Sequence, residues 1–493
     1  MGIVFKQGSL TTISSYLGVI IGYVNVLWLF PAILSPEQIG LVRLLPSIAY
    51  LLLPFCQLGL AQSVVKFFPV FNKHSGGREE LLTFMLIANI VGFGLTIAFI
   101  KIFQSKIIGF FQEKSALVND YFYISIILLL IFSLSAILES FSKSILKIVI
   151  PNVIRDVVIR LLTSAFLAFL LFGIISFDQF VNGLIAIYTI GLLLLLSYLI
   201  KKGIMGIGTR FKTLNGLLCR QIVGYGLFTV LGATGNYIIL HIDQVMISKM
   251  IGLDANGIYT TAFYIAVVIE LPRRAIGQIS LPLVSRYFES KDLASINKLY
   301  KQVSVNQMIV GALILIGIIV NIDNLFELVP NKEIYQTGIN VVFIMGLAKL
   351  FDMIFSINNE IILMSEFYRY NILFSFLVGL FCVLLNWILI QSMGIDGAAL
   401  ATGMCLLLFN VIKLLFIKLK LDLWPFTRNN LYVGLIALTV YFVIQQIPWM
   451  GNVVVDIILR SVITTALFSF PVLYFKLSLE INEAVHKITG FKI

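Results

Sequence analysis

The stretch YIAVVIELPRRAIGQISLPLV, Tyr264 to Val284, reads as a helix made for lipid at its ends and for charge in its middle. Apolar runs flank Glu270, Pro272, Arg273 and Arg274. About 20 mostly apolar residues suffice to cross the hydrocarbon of a bilayer. An ionised side chain at mid-bilayer costs about 3 kcal/mol or more, so it faces a polar cavity or a partner. The stretch therefore fits a membrane helix that borders a polar interior.

The rest of the chain agrees. Of its 493 residues, 59% are hydrophobic and 12% charged, against about 25% charged in a soluble domain. Fourteen apolar segments fall at about 9–31, 41–65, 81–103, 119–139, 152–174, 178–200, 221–248, 257–285, 303–321, 337–364, 370–391, 396–418, 430–447 and 454–475. Their apolar runs are continuous rather than alternating, which excludes a β-barrel and leaves helices. The expected fold is an all-α polytopic membrane protein with 14 transmembrane helices. The first run is long and lacks a small-residue cleavage site, so it reads as a retained helix rather than a signal peptide.

The net charge of +11 is explained by topology rather than by nucleic acid. Lys and Arg collect in cytoplasmic loops. With the N-terminus inside, the inner loops hold Lys66, Lys73, Arg78, Lys143, Lys147, Lys201, Lys202, Arg220, Arg286, Lys291, Lys298, Lys418 and Lys420, among others. The outer loops hold Lys101, Lys106, Lys114, Lys249 and Lys332. Both termini are thus expected in the cytoplasm. The cysteines Cys56, Cys219, Cys382 and Cys405 have no metal-like spacing and read as packing residues.

The basic stretch KKGIMGIGTRFKTLNGLLCR, 201–220, divides six helices from the next six. The expected organisation is an N-lobe at 1–200, this linker at 201–220, a C-lobe at 221–420, and two further helices with a tail at 421–493. An internal repeat supports it. LFPAILSPEQIGLVRLLPSIAYLLLPF, Leu29 to Phe55, and ISKMIGLDANGIYTTAFYIAVVIELPRR, Ile247 to Arg274, each carry a polar turn closing on a glycine, Gly40 or Gly257. Each then places a proline deep in the next helix, Pro54 or Pro272. Six helices per half give parallel repeats, expected to surround a central lumen with substrate between them.

LSPEQIGLVRLL, Leu34 to Leu45, is similar to the start of polysaccharide-exporting flippases. LLNWILIQSMGIDGAALATGMCLLLFN, Leu384 to Asn410, resembles the helix 11–12 signature of the same family, with its small-residue turn at Gly394, Gly397, Ala398, Ala399, Ala401 and Thr402. The resemblance covers essentially the whole chain. It is to the polysaccharide (O-antigen type) flippase branch of the multidrug/oligosaccharidyl-lipid/polysaccharide exporter superfamily. It implies movement of an undecaprenyl-pyrophosphate-linked oligosaccharide from the inner to the outer leaflet of the bacterial plasma (inner) membrane, for surface polysaccharide, O-antigen and lipopolysaccharide assembly. It also implies membrane lipids, a polysaccharide polymerase and other glycan-assembly proteins as partners, and a groove for the lipid tail formed by the last two helices.

Catalytic signatures are missing from the sequence. There is no phosphate-binding GxxxxGK[ST] loop and no Asp-x-Asp. The histidines His74, His241 and His486 are far apart, which argues against a metal or triad site. A transporter without cofactor or metal is expected. Two rivals stay open: a cation-coupled multidrug antiporter of the same superfamily, and a membrane-embedded glycan polymerase or ligase. A peptidoglycan-precursor flippase is a third reading within the exporter class. The antiporter branch tends to use buried acids in its first lobe, whereas helix 1 here, residues 9–31, has no Asp or Glu.

The candidate substrate-binding residues are the charges within apolar segments. Glu270 lies three and four residues before Arg273 and Arg274, on one side of a helix. An ion pair with Arg274 and a cationic site both fit. Lys349, Asp352, Ser356, Asn359 and Glu360 draw one polar stripe at helical spacing, suited to lining a lumen or meeting another polar helix. Arg155, Asp156 and Arg160 open helix 5, with Asp156 and Arg160 at i,i+4 as a structural pair or a site. Arg43, near the outer end of helix 2, fits a headgroup contact or a lumen role. His241, Asp243 and Asp352 are the candidate ion-coupling groups.

Overall fold

The computed structural model describes residues 2–74, 76–145, 147–203, 206, 208 and 212–489. Part of the basic linker, including Arg210, and the last four residues of the tail lie outside the described residues. Every regular element among the described residues is helical. Among the described residues, ten helices are long and apolar enough to cross a membrane.

Several of the expected segments are interrupted or merged. Residues 152–174 fall on Val149–Val153, a π-helical turn at Ile154–Val158 and Ile159–Leu171. Residues 257–285 fall on Leu253–Val267, a 3₁₀ turn at Val268–Glu270 and Leu271–Glu289. Segments 370–391 and 396–418 form one run, Tyr368–Leu421, broken at Gly394, whose φ of 59° and ψ of −134° suit only glycine. Segment 430–447 is the helix Arg428–Gln445.

Helix starts follow from local chemistry. Ser35 opens Pro36–Gln57 with a capping box: its hydroxyl accepts from the Gln38 backbone N–H at 3.3 Å, and the Gln38 carboxamide accepts from the Ser35 N–H at 3.0 Å. Ser176 and Gln179 repeat the device at Phe177–Lys201. Pro272 sits in the first turn of Leu271–Glu289, where its missing N–H leaves no helical bond unmade. The 3₁₀ turn just before it tightens the chain, so the opening stretch is two helices rather than one.

The helix expected over 337–364 is also broken. Ile339–Ile354 and Asn358–Met364 are separated by a turn in which Ser356 takes a φ of +61°. The polar stripe is therefore not carried on one regular helix.

The described chain forms two compact units, Met1–Thr260 with Ser375–Gly394, and Thr261–Phe374 with Ile395–Ile493. They do not part at the basic linker. The helix Gly216–Met250 packs in the first unit, where a Cβ on Gly235 would overlap the Ser375 carbonyl and one on Gly226 would meet the Leu58 carbonyl. The first unit's core includes Phe67, Phe68, Phe71, Leu81, Phe141 and Ile222. In the second unit, Arg428–Gln445 and Val453–Tyr474 pack on Leu293–Ile319 through Val305, Ile309, Val433, Val440 and Phe468.

The two repeated turns meet in the first unit. A Cβ on Gly40 would fall on the Leu253 carbonyl, and one on Gly257 would fall on the Pro36 carbonyl. Pro36 and Leu253 each precede their glycine by four residues, so the contact is reciprocal. Asn256 Nδ2 adds a hydrogen bond to the Gly40 carbonyl at 2.9 Å.

Candidate functional site

In the second unit, the broken helices bring a charged cluster together. Glu270 ends the 3₁₀ turn, Arg273 and Arg274 open the next helix, Lys349 and Asp352 close Ile339–Ile354, and Asn358, Asn359 and Glu360 open Asn358–Met364. Arg273 Nη1 lies 2.5 Å from Asp352 Oδ2. Asp352 Oδ1 accepts from Asn410 at 2.7 Å, and Asn410 Oδ1 accepts from Asn358 at 2.9 Å. Glu270 is shared: Oε1 accepts from Arg274 Nε at 3.1 Å and Oε2 from Lys349 Nζ at 2.5 Å.

Lys413 joins the same cluster. It donates to Asn359 Oδ1 at 3.3 Å and lies over the Phe409 ring at 3.4 Å. Glu360 places Oε1 against Gly277, while its buried Oε2 accepts no hydrogen bond among the described residues. Arg273, Arg274, Lys349 and Lys413 thus face Glu270, Asp352 and Glu360, one cation more than acids.

The cations differ in what they have left to offer. The Lys349 side chain is 5% exposed and consumed by Glu270. The Arg274 side chain is 60% exposed and spends only Nε on Glu270. Its two terminal nitrogens bond no described residue, which leaves the planar fork that binds phosphate oxygens in pairs.

The first unit holds a second group. Arg155 donates from Nε to Asp156 at 3.0 Å, from Nη1 to Glu139 at 3.4 Å and from Nη2 to Asn152 at 3.0 Å. Asp156 also accepts from Ser15 Oγ at 2.8 Å. The i,i+4 pair of Asp156 with Arg160 does not form: Arg160 donates to the Gly18 carbonyl instead. The π-helical turn at Ile154–Val158 is the reason, since i→i+5 bonding shifts the register on which that pairing depends. Arg43 sits over the Phe30 ring at 4.9 Å.

His241 and Asp243 are not joined. His241 stacks on Tyr50 with centroids 4.9 Å apart, and its buried Nδ1 makes no hydrogen bond among the described residues. Asp243 is buried and accepts from the Tyr259 hydroxyl. Asp352, the third candidate for ion coupling, is held by Arg273 and Asn410. Ser356 is buried in its turn, and its hydroxyl makes no hydrogen bond among the described residues.

Sequence reasoning missed Asn358, Asn410 and Lys413 as members of the cluster, and Glu139 beside Arg155. Asn410 and Lys413 are three residues apart in an apolar run, a polar face that the spacing alone could have shown.

The structure is similar to that of the protein titled lipid II flippase MurJ, inward closed conformation, with a TM-score of 0.73 over 93% of this chain and 98% of that one at 15% identity. It is similar also to a multidrug resistance MATE family transporter of the MOP superfamily, with a TM-score of 0.59 over 86% and 95% at 10% identity. A MOP superfamily transporter from Pyrococcus furiosus gives a TM-score of 0.59 over 85% of this chain and 95% of that one, also at 10% identity. The chain belongs to the family described as polysaccharide biosynthesis protein, whose profile matches residues 4–288. No curated protein matches it by sequence.

Proposed function

We propose that the protein is a flippase that moves an undecaprenyl-pyrophosphate-linked oligosaccharide from the inner to the outer leaflet of a bacterial plasma membrane, for surface polysaccharide of the O-antigen type. The observation that carries this is the second unit's cluster: a surplus cation, and an exposed Arg274 whose fork is open. A pyrophosphate diester carries two negative charges and would take that fork. An organic cation would find Glu270 and Asp352 already neutralised by Lys349, Arg274 and Arg273 and only Glu360 left to it, so the cluster's surplus of cations weighs against the multidrug reading. Membership of a polysaccharide biosynthesis family supports the glycan.

In this reading the chain crosses the membrane 14 times with both termini in the cytoplasm, and the lipid tail stays outside the polar interior, along the last two helices. With the cytoplasm negative, moving two negative charges outward gains about 2 × 2.3 kcal/mol per 100 mV, so the membrane potential alone supplies a direction. The test is a clean deletion. Lipid-linked glycan should accumulate in the inner leaflet and surface polysaccharide should fall, both restored by the wild-type gene. Unchanged surface polysaccharide together with new sensitivity to lipophilic cations would overturn the proposal in favour of a multidrug transporter.

A further inference from the structure

The first unit encloses a half-open cavity of about 170 Å³ that the charged cluster does not use, several times the ~30 Å³ share of one water. Its polar lining is Tyr50, Ser135, Glu139, Arg155, Tyr188 and Tyr237, set among aliphatic side chains.

Charge pairing narrows what could sit there. An anion would meet in Arg155 a cation already paired with two carboxylates, Asp156 and Glu139, and bonded to Asn152. A cation would meet in Glu139 a carboxylate whose charge Arg155 at 3.4 Å and Lys143 at 3.9 Å already offset. Neither Arg43 nor Arg160 lines the cavity.

What remains on offer is neutral hydroxyl chemistry. The Tyr50, Tyr188, Tyr237 and Ser135 hydroxyls bond no described residue, and each can donate one hydrogen bond and accept others. The rings that carry them are held in place. Tyr50 stacks on Phe132, Tyr237 and His241 with centroids at 4.5, 5.9 and 4.9 Å. Tyr188 meets Phe132 edge-on at 4.9 Å. Fixed hydroxyls around apolar ring faces match a pyranose, whose rim is hydroxyl and whose faces carry C–H groups.

We propose that this cavity is a subsite for one uncharged sugar ring of the lipid-linked glycan. The inference rests on the flippase reading and adds to it the class of sugar and the residues that meet it.

The test uses the full-length protein in lipid nanodiscs and two probes. One is the lipid-linked glycan that accumulates in deletion cells, and the other is the same lipid stripped to polyprenyl pyrophosphate. The wild type should bind the glycan form about tenfold or more tighter than the stripped form. Tyr50→Phe with Tyr188→Phe keeps the ring stacks and removes two hydroxyls. It should bring that ratio to within about twofold of unity while binding of the stripped lipid holds. A ratio near one in the wild type, or a full ratio in the Phe variant, overturns the sugar site and leaves the flippase reading standing. Binding of tetraphenylphosphonium that is lost in Glu139→Gln also overturns it, by making the cavity a cation site. If the wild type binds neither lipid, the flippase reading falls and takes the sugar site with it.

Discussion

Arg155 in the first unit and Arg274 in the second are both arginines in apolar surroundings beside a glutamate, yet they are chemically opposite. Arg155 has three nitrogens bonded to protein acceptors. Arg274 has one. A guanidinium has five N–H donors: Arg155 spends three on acceptors that include two carboxylates, whereas Arg274 keeps the four of its two terminal nitrogens for a ligand. The number of buried cations is therefore a poor guide to where an anion binds. The donors left unspent are the better one.

That contrast can be broken by removing acids. Asp352→Ala should have the largest effect, because Arg273 would lose its ion-pair partner. Stranding a buried charge costs about 3–5 kcal/mol, so the membrane level of the protein should fall steeply on immunoblots of membrane fractions. Glu139→Ala is the paired control and should leave protein at near-normal levels, since Arg155 keeps Asp156 and Asn152. Equal losses in the two variants would erase the distinction.

Arg274→Ala comes next and should act on export, not on abundance. A hydrogen bond to a charged group contributes about 1.5–3 kcal/mol, which is roughly a ten- to hundredfold fall in flipping rate, read as lipid-linked glycan reaching the outer leaflet per unit time. Arg274→Lys should recover part of it, because the charge stays but the fork is lost. Arg273→Ala should instead lower abundance, since it strands Asp352.

The smallest expected effect lies at the repeat. Gly40→Ala and Gly257→Ala each drive a methyl into a carbonyl, and overpacking of this kind costs about 1–3 kcal/mol. The two variants should lower the thermal midpoint of the purified protein by similar amounts. A large loss at one glycine alone would show that the contact is not reciprocal in energy.

The helical framework is legible in the sequence because a long apolar run in a bilayer has few other solutions. The Glu270–Arg274 pair is legible too, since i,i+4 partners meet on any regular helix. What spacing does not carry is where the regularity stops. One π-helical turn at Ile154–Val158 undid the Asp156–Arg160 pairing, and the left-handed Ser356 divided a stripe that looks continuous on paper. Pairs such as Arg273 with Asp352, separated by 79 residues, depend on tertiary packing that no local pattern encodes. At Pro272 the break lies where a residue without an N–H opens the helix Leu271–Glu289.

The mutual seat of Gly40 on Leu253 and Gly257 on Pro36 has the form of an isologous interface folded into one chain. In a two-fold dimer, a substitution at such a contact appears twice and either fails twice or is accommodated twice. Here the two copies can change separately, so a methyl on one glycine meets an unaltered carbonyl. Each side is held to glycine by the backbone of the other, so the constraint does not depend on any neighbouring side chain.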